Sequence, residues 1–311
     1  MNGPLPMPEG FSVGHWSDAE ARTGCTVVIP PPDTRGGVDV RGGGPGTRET
    51  DVIDAVAGNH QVTGVVLAGG SAFGLAAADG AARWLEEQGR GYPTPGGLVP
   101  IVPAAVVYDL IEGDPSVRPG PDQGYAACEA AAAGVPQRGA VGAGSGTAVA
   151  KLFGRERATA AGVGYAAARG GRGDTVAALA VVNAFGDVIS EDGSVLAGPL
   201  GDDGTMCSTA EEIAGMERTP DWTRLEERNT TLVCLMTDAP LGTPGCTRVA
   251  RMASGGVARA VNPTFSDVDG DVVFCLASGL GEPDRFTSIS VGTIAATVTA
   301  AAIRDAVRSA A

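Results

Sequence analysis

The stretch Glu226-Glu227-Arg228-Asn229-Thr230-Thr231-Leu232-Val233-Cys234-Leu235-Met236-Thr237 changes character within a few residues, from a charged segment to an apolar, β-branched run. The preceding residues 217–229 (ERTPDWTRLEERN) contain a proline and show neither helical nor strand periodicity, which predicts a surface connection. Residues 230–237 (TTLVCLMT) predict a buried strand that begins on a hydroxyl residue. The chain therefore passes from solvent into its core at Thr230.

Working outward, residues 62–68 (VTGVVLA) read as another buried strand, followed by a Gly69-Gly70-Ser71 turn and a helix over 72–87. Residues 104–110 (AAVVYDL) make a second strand candidate and 122–133 a second helix. Over 158–197 short β-like runs are punctuated by glycine, which predicts an antiparallel meander. Residues 205–216 are helix-like, 247–261 predict a helix, 271–277 (DVVFCLA) a further buried strand, and 289–307 a closing amphipathic helix. The class is α+β, with helices covering sheet. No linker splits the 311 residues, so one domain is expected.

Composition narrows the partners. With 22 Lys+Arg against 36 Asp+Glu the formal charge is -14, a field that repels phosphate backbones and anionic headgroups. Neither a nucleic-acid nor a membrane partner is expected. Residues 1–14 lack a basic-then-apolar leader, and no apolar stretch of the roughly 18 residues that cross a bilayer stands out, so a cytoplasmic location is expected. The six cysteines form no C-x-x-C pair and read as free buried thiols. Only two histidines are present, His15 and His60.

Several familiar chemistries fail on spacing. A serine-hydrolase elbow at Gly69-Gly70-Ser71 has Phe73 where G-x-S-x-G needs glycine, and both histidines precede Ser71. Gly70, Ser71, Ala72 and Phe73 read instead as pocket lining at a helix start. In 142–151 a phosphate loop is broken by Ala150 before Lys151, and a calcium loop over Asp267, Asp269 and Asp271 lacks its glycine and its bidentate glutamate. No metal or other cofactor is called for. Asn229-Thr230-Thr231 matches a glycosylation sequon, but with no secretory leader read in residues 1–14 glycosylation is not expected.

A hydroxyl residue opening a strand offers another chemistry. Its oxygen can attack the preceding carbonyl, shift the acyl group from nitrogen to oxygen, and release the resulting ester to water. The product carries a free α-amino group, of pKa about 8, beside its own hydroxyl, where it serves as general base without a histidine.

Seven motifs in order carry a resemblance to a known group. They are Leu67-Ala68-Gly69-Gly70-Ser71-Ala72-Phe73-Gly74-Leu75, Val99-Pro100-Ile101-Val102-Pro103-Ala104-Ala105-Val106-Val107-Tyr108-Asp109, and Gly142-Ala143-Gly144-Ser145-Gly146-Thr147-Ala148-Val149-Ala150-Lys151; then Val182-Asn183-Ala184-Phe185-Gly186, Asn229-Thr230-Thr231, Thr237-Asp238-Ala239-Pro240-Leu241 and Asp267-Val268-Asp269-Gly270-Asp271. Over most of its length the sequence resembles the DmpA-like peptidases, which include β-aminopeptidases and nylon-oligomer endohydrolases. The resemblance implies an αββα sandwich of the DmpA/ornithine-acetyltransferase type, cut between Asn229 and Thr230 into an α part, 1–229, and a β part, 230–311.

It further implies Thr230 as nucleophile, Asn183 as amide donor to the oxyanion, Tyr108 and Lys151 beside the nucleophile, and Asp269 and Asp271 holding its hydroxyl and amine. Taken alone, Asp269-Gly270 reads as a hairpin turn. The aminopeptidase branch carries an acidic residue two places before the tyrosine, where this chain has Val106, so the sequence looks closer to the nylon-hydrolase branch. The implied substrate is a small peptide or an ω-amino-acid oligomer. Amino-acid amides cleaved by an aminopeptidase, acyl transfer to an amine, and a silent small-molecule-binding homologue are the alternatives. A homo-oligomer, a tetramer by resemblance, is implied as well.

Overall fold

The computed structural model describes residues 4–58, 61–217 and 229–310, and gathers most of the apolar runs into two five-stranded sheets. The first comprises β1 (Ser12–Asp18), β2 (Thr23–Ile29), β4 (Thr47–Arg48), β5 (Val65–Ala68) and β6 (Ala104–Val106), ordered β1-β2-β5-β6-β4. The second comprises β3 (Arg35–Val40), β7 (Val163–Arg169), β8 (Thr175–Asn183), β9 (Thr230–Thr237) and β10 (Val272–Ala277), ordered β7-β8-β9-β10-β3. Helices α1 (Ala77–Glu87) and α2 (Pro121–Glu129) lie against the first sheet. A short α3 (Thr209–Gly215) follows the meander, and α4 (Thr243–Ala260) and α5 (Thr287–Arg308) cover the second sheet.

The two-residue period of a strand produces the layering. Along β9, Leu232, Cys234 and Met236 enter the core between the sheets, whereas Val233 and Leu235 join the core under α4 and α5. β8 repeats the pattern, with Ala177, Leu179 and Val181 between the sheets and Val176, Ala178, Ala180 and Val182 on the helix side. Both faces of each strand are covered, so the runs are continuously apolar rather than alternating. The layers are helix, sheet, sheet, helix: the αββα sandwich. Small residues set the spacing, because a Cβ at Gly164 would lie 2.0 Å from the Ala302 carbonyl oxygen of α5.

The strand at 230–237 falls where the sequence puts it, and 158–197 is antiparallel as expected, with β7 and β8 paired from Val163↔Val181 to Arg169↔Thr175. Other boundaries move. The helix expected from residue 72 begins as a 3-10 turn over Ser71–Ala76, and α1 proper starts at Ala77. Left-handed backbone at Gly70 and Ser71 (φ +77 and +53) delays it. The strand expected over 104–110 stops at Val106, because the next residues turn to hold the Gly70 loop. The apolar span that the sequence seemed to lack exists in α5, which is long and apolar enough to cross a membrane. Val291, Ala295, Val298, Ala302 and Ile303 of that helix are buried in the core against the second sheet. Of the expected connection over 217–229, residues 218–228 lie outside the described residues, as does His60.

Candidate active site

β9 is flanked by an antiparallel neighbour on one side and a parallel one on the other. On the β8 side Asn183 pairs with Thr230; on the β10 side Leu232 pairs with Val272, and a parallel bridge joins Asn229 to Asp269. The period of two puts Thr230 on the same face as Leu232, and Asn183 on the same face as Val181. Both side chains therefore look into the space between the sheets, at the end where the chain leaves β6 through Val107 and Tyr108. Thr230 is 4% exposed and Asn183 fully buried.

Asn183 is pinned from three directions. Its Oδ1 accepts from Lys151 Nζ at 2.7 Å and from the Ala148 N–H at 3.2 Å, and its Nδ2 donates to the Tyr108 carbonyl oxygen at 3.0 Å. Two donors on one end and an acceptor on the other fix which way the amide points. The second Nδ2 hydrogen remains for another acceptor. Lys151 Nζ also reaches the Asn183 carbonyl oxygen at 3.3 Å, and its own N–H donates to Phe185 O. Ala150, just before it, has φ +60, a conformation costly outside glycine and held here by the Ala150 N–H to Gly186 O bond.

On the opposite side, the segment Ser266 to Asp271 presents both carboxylates. Asp269 accepts from the Ser266 N–H and hydroxyl at 3.0 and 2.5 Å and from the Phe185 N–H at 3.4 Å. Burial raises its pKa, while those hydrogen bonds and the Lys151 ammonium act to lower it. Asp271 lies on the helix side with Thr231, whose N–H donates to it at 2.5 Å, and it also accepts from Thr264 and Phe265. Burial, then the Asp269 charge, push Asp271 up to about 7. The turn does not make a hairpin: the strand after Asp271 runs parallel to β9.

The peptide that the resemblance marks for cleavage, between Asn229 and Thr230, is held on both sides. Asn229 donates its N–H to Val268 O at 3.0 Å, and its carbonyl oxygen accepts from Gly270 N–H at 2.7 Å. The Thr230 hydroxyl donates to that same carbonyl at 2.5 Å. Thr230, Asn183, Lys151 and Asp269 thus gather at one end of β9, whereas the Asp271 carboxylate lies on the other face of the sheet and meets this end through the Thr231 N–H; the described hydrogen bonds reach Tyr108 through its carbonyl oxygen. Gly70, Ser71, Ala72 and Phe73 lie one step farther out. Gly70 N–H is held at 2.6 Å by Asp109, which also accepts from Thr23 at 2.7 Å, and Ser71 N–H donates to Val107 O. Burial raises the Asp109 pKa. Phe73 is exposed, with the Arg118 guanidinium 3.8 Å over its ring.

The run Arg41-Gly42-Gly43-Gly44-Pro45-Gly46, overlooked in the sequence, clamps the aspartate segment. Gly44 N–H donates to Asp269 O at 2.8 Å and Arg41 N–H to Asp271 O at 2.9 Å. A Cβ at Gly42 would lie 2.3 Å from Asp269 O, so only glycine lets the two backbones meet. Three glycines before a proline were a signal of such an approach.

The fold is that of the N-terminal-nucleophile hydrolases. The L-aminopeptidase D-Ala-esterase/amidase of Ochrobactrum anthropi, whose structure is described as a new variant of that fold, superposes with a TM-score of 0.72 at 19% identity, covering 98% of this chain and 88% of that one. A β-aminopeptidase from Burkholderia sp. gives 0.69 at 22%, with the same coverage. The model of peptidase family S58 matches residues 9–311, and the chain belongs to that family, as an enzyme that hydrolyses peptide or amide bonds. An uncharacterized aminopeptidase of Mycobacterium tuberculosis is 43% identical over 282 residues, 87% of this chain and 80% of the relative. A 6-aminohexanoate-oligomer endohydrolase of Paenarthrobacter ureafaciens is 29% identical over 273 residues, 86% of this chain and 73% of the relative.

Proposed function

We propose that the chain cuts itself between Asn229 and Thr230, and that the freed Thr230 then hydrolyses amide bonds through an ester on its hydroxyl. The observation that carries this reading is the buried Thr230 hydroxyl, 2.5 Å from the carbonyl oxygen of the peptide it would attack. In the first reaction Thr230 Oγ1 bonds to the Asn229 carbonyl carbon, its proton passes to the Thr230 nitrogen, and the carbon–nitrogen bond breaks. Water then splits the ester, leaving the Asn229 carboxylate and a Thr230 with free amine and hydroxyl. In the second reaction that amine takes the hydroxyl proton as the substrate carbonyl is attacked, and gives it to the leaving amine. Asn183 Nδ2 donates to the oxyanion, and Lys151 keeps the Thr230 amine unprotonated near neutrality.

The substrates are small peptides or ω-amino-acid oligomers of the nylon type, and the working assembly is a homotetramer. An aminopeptidase is the second reading, favoured by the names of relatives 42–43% identical to this chain. Against it stands Val106, a buried apolar residue where an acidic group for a free substrate amine is looked for. Intact-mass analysis of purified protein tests the proposal. Two fragments meeting at Asn229/Thr230 are expected, with hydrolysis of amino-acid anilides. Thr230→Ala is expected to stay one folded chain without activity, and a variant that still splits refutes the assignment.

A further inference from the structure

The backbone grip on Asn229 defines more than a cleavage site. Two polar groups of one segment, Val268 O and Gly270 N–H, hold the two polar backbone groups of Asn229, at 3.0 and 2.7 Å. Such a paired bond fits a residue whose N–H and C=O are separated by a single carbon, as in any α-amino acid. Asn229 is 1% exposed, so this edge is inside the protein and not a surface strand open to chance contacts. Gly270 must lack a side chain there: a Cβ would lie 2.8 Å from Thr230 Oγ1 and 2.9 Å from Gly44 O.

Resting on the self-cleavage reading, we infer that Val268 O and Gly270 N–H form the acyl subsite of the mature enzyme, and that it takes α-aminoacyl amides, which selects the small peptides over the ω-amino-acid oligomers of the two substrate classes proposed above. The link between the two reactions is chemical identity. After the acyl shift, Asn229 is esterified to Thr230 Oγ1; during turnover, the acyl half of the substrate is esterified to that same oxygen. One subsite therefore serves both esters. In each, Gly270 N–H donates to the carbonyl oxygen as charge builds on it, and Val268 O accepts the N–H of the acyl residue. An ω-aminohexanoyl group offers the carbonyl but carries its N–H several atoms too far away to reach Val268. Asn229 is joined to more chain on its amino side, so the subsite accepts an acylated α-nitrogen and needs no free amine.

The test uses the mature protein and three anilides: N-acetyl-asparagine para-nitroanilide, the same compound methylated on the asparagine nitrogen, and acetamidohexanoyl para-nitroanilide. The first is expected to give a kcat/KM about 10-fold or more above each of the others, which is what leaving one buried acceptor unpaired costs. Equal rates for the methylated or the hexanoyl compound overturn the subsite. For Gly270, pulse–chase measurement of splitting compares Gly270→Ala, which adds the crowding Cβ and keeps the N–H, with Gly270→Pro, which adds it and loses the N–H. The proline chain is expected to split about 100-fold more slowly than the alanine chain, the effect of one oxyanion donor. Similar rates overturn the donor role; if circular dichroism shows the proline chain unfolded, the anilide comparison decides. A wild-type chain that never splits removes the self-cleavage reading and this inference together, whereas a chain that splits and favours the hexanoyl anilide removes the inference alone.

Discussion

Replacing Lys151 by methionine separates a charge effect from a packing effect at the site. The side chain is buried, and methionine replaces its four-atom stem while removing the ammonium that sits 2.7 Å from Asn183 Oδ1. Asn183 faces Thr230 across one strand pair, so the ammonium and the amine at the head of β9 are on the order of 6 Å apart. At an effective dielectric of about 20, unit charges at that separation interact by roughly 3 kcal/mol, about two pH units. Removing the positive charge makes the Thr230 amine easier to protonate, so its pKa rises. It also removes a charge that holds Asp269 down. Both effects move the acid limb of the activity profile to higher pH. The assay is kcat/KM against pH for an amino-acid anilide, on wild type, Lys151→Met and Lys151→Arg. A shift of about one to two units is expected for methionine and little for arginine. If the methionine variant loses activity with its acid limb unmoved, Lys151 acts only by holding Asn183 in place, and the electrostatic reasoning fails.

Other consequences follow from the same geometry. Asp271 is raised from 3.8 to about 7 in the folded chain, so between those values the native state keeps a proton that the unfolded chain has lost. Its contribution to stability is complete below the lower value and disappears as pH rises through the upper one; in the uncleaved Thr230→Ala chain, urea midpoints should fall from about pH 5 to about pH 8, and Asp271→Asn should flatten that change. Gly42→Ala should impair splitting strongly, since its Cβ would meet Asp269 O at 2.3 Å and Asp271 N at 2.4 Å, while Gly44→Ala, whose nearest contact is 3.9 Å, should split like wild type. Equal behaviour of the two would mean that the glycine clamp has no part in aligning the carboxylates. Asp109→Ala strips the acceptor from Gly70 N–H and Thr23 Oγ1 and should cost about 2–4 kcal/mol by urea denaturation; an unchanged midpoint would show that this loop is held by other contacts.

The sequence disclosed the parts of the fold whose physics is local. Residues 230–237 and 175–183 are continuously apolar because both faces are covered, and such runs announce buried strands. The first sixty residues were silent although they supply β1, β2, β3 and β4. Ser12–Asp18 mixes polar and aromatic residues, and Arg35–Val40 contains two glycines, which weaken a strand signal. Their reason is tertiary: a Cβ at Gly37 would lie 2.3 Å from Thr247 N of α4. The site divides in the same way. Thr230 stood out as a hydroxyl at a change of polarity, whereas Asn183, Lys151, Asp269 and Asp271 carry no local mark and were reached through a resemblance spread over seven motifs. Backbone groups such as Gly270 N–H and Val268 O have no side chain to read, so only the folded chain reveals them.

The strand order bears on what self-cleavage would leave behind. In the second sheet, β9 and β10 lie after the proposed cleavage point at Thr230, and they sit between β8 and β3, which lie before it. β8 pairs with β9 from Val176↔Thr237 to Asn183↔Thr230, and β10 pairs with β3 from Val272↔Val40 to Ala277↔Arg35. Separating the parts would open both ladders and expose Leu232, Leu235, Phe274 and Leu276, each worth about 1.5–3 kcal/mol when buried. The site is shared across the same boundary, with Asn183 and Lys151 on one side and Thr230, Asp269 and Asp271 on the other. The two fragments should therefore co-elute as one particle under native conditions and part only in denaturant, with activity lost at the same denaturant concentration. Fragments that separate in native buffer while activity persists in one of them would show that the composite site is not the one that works.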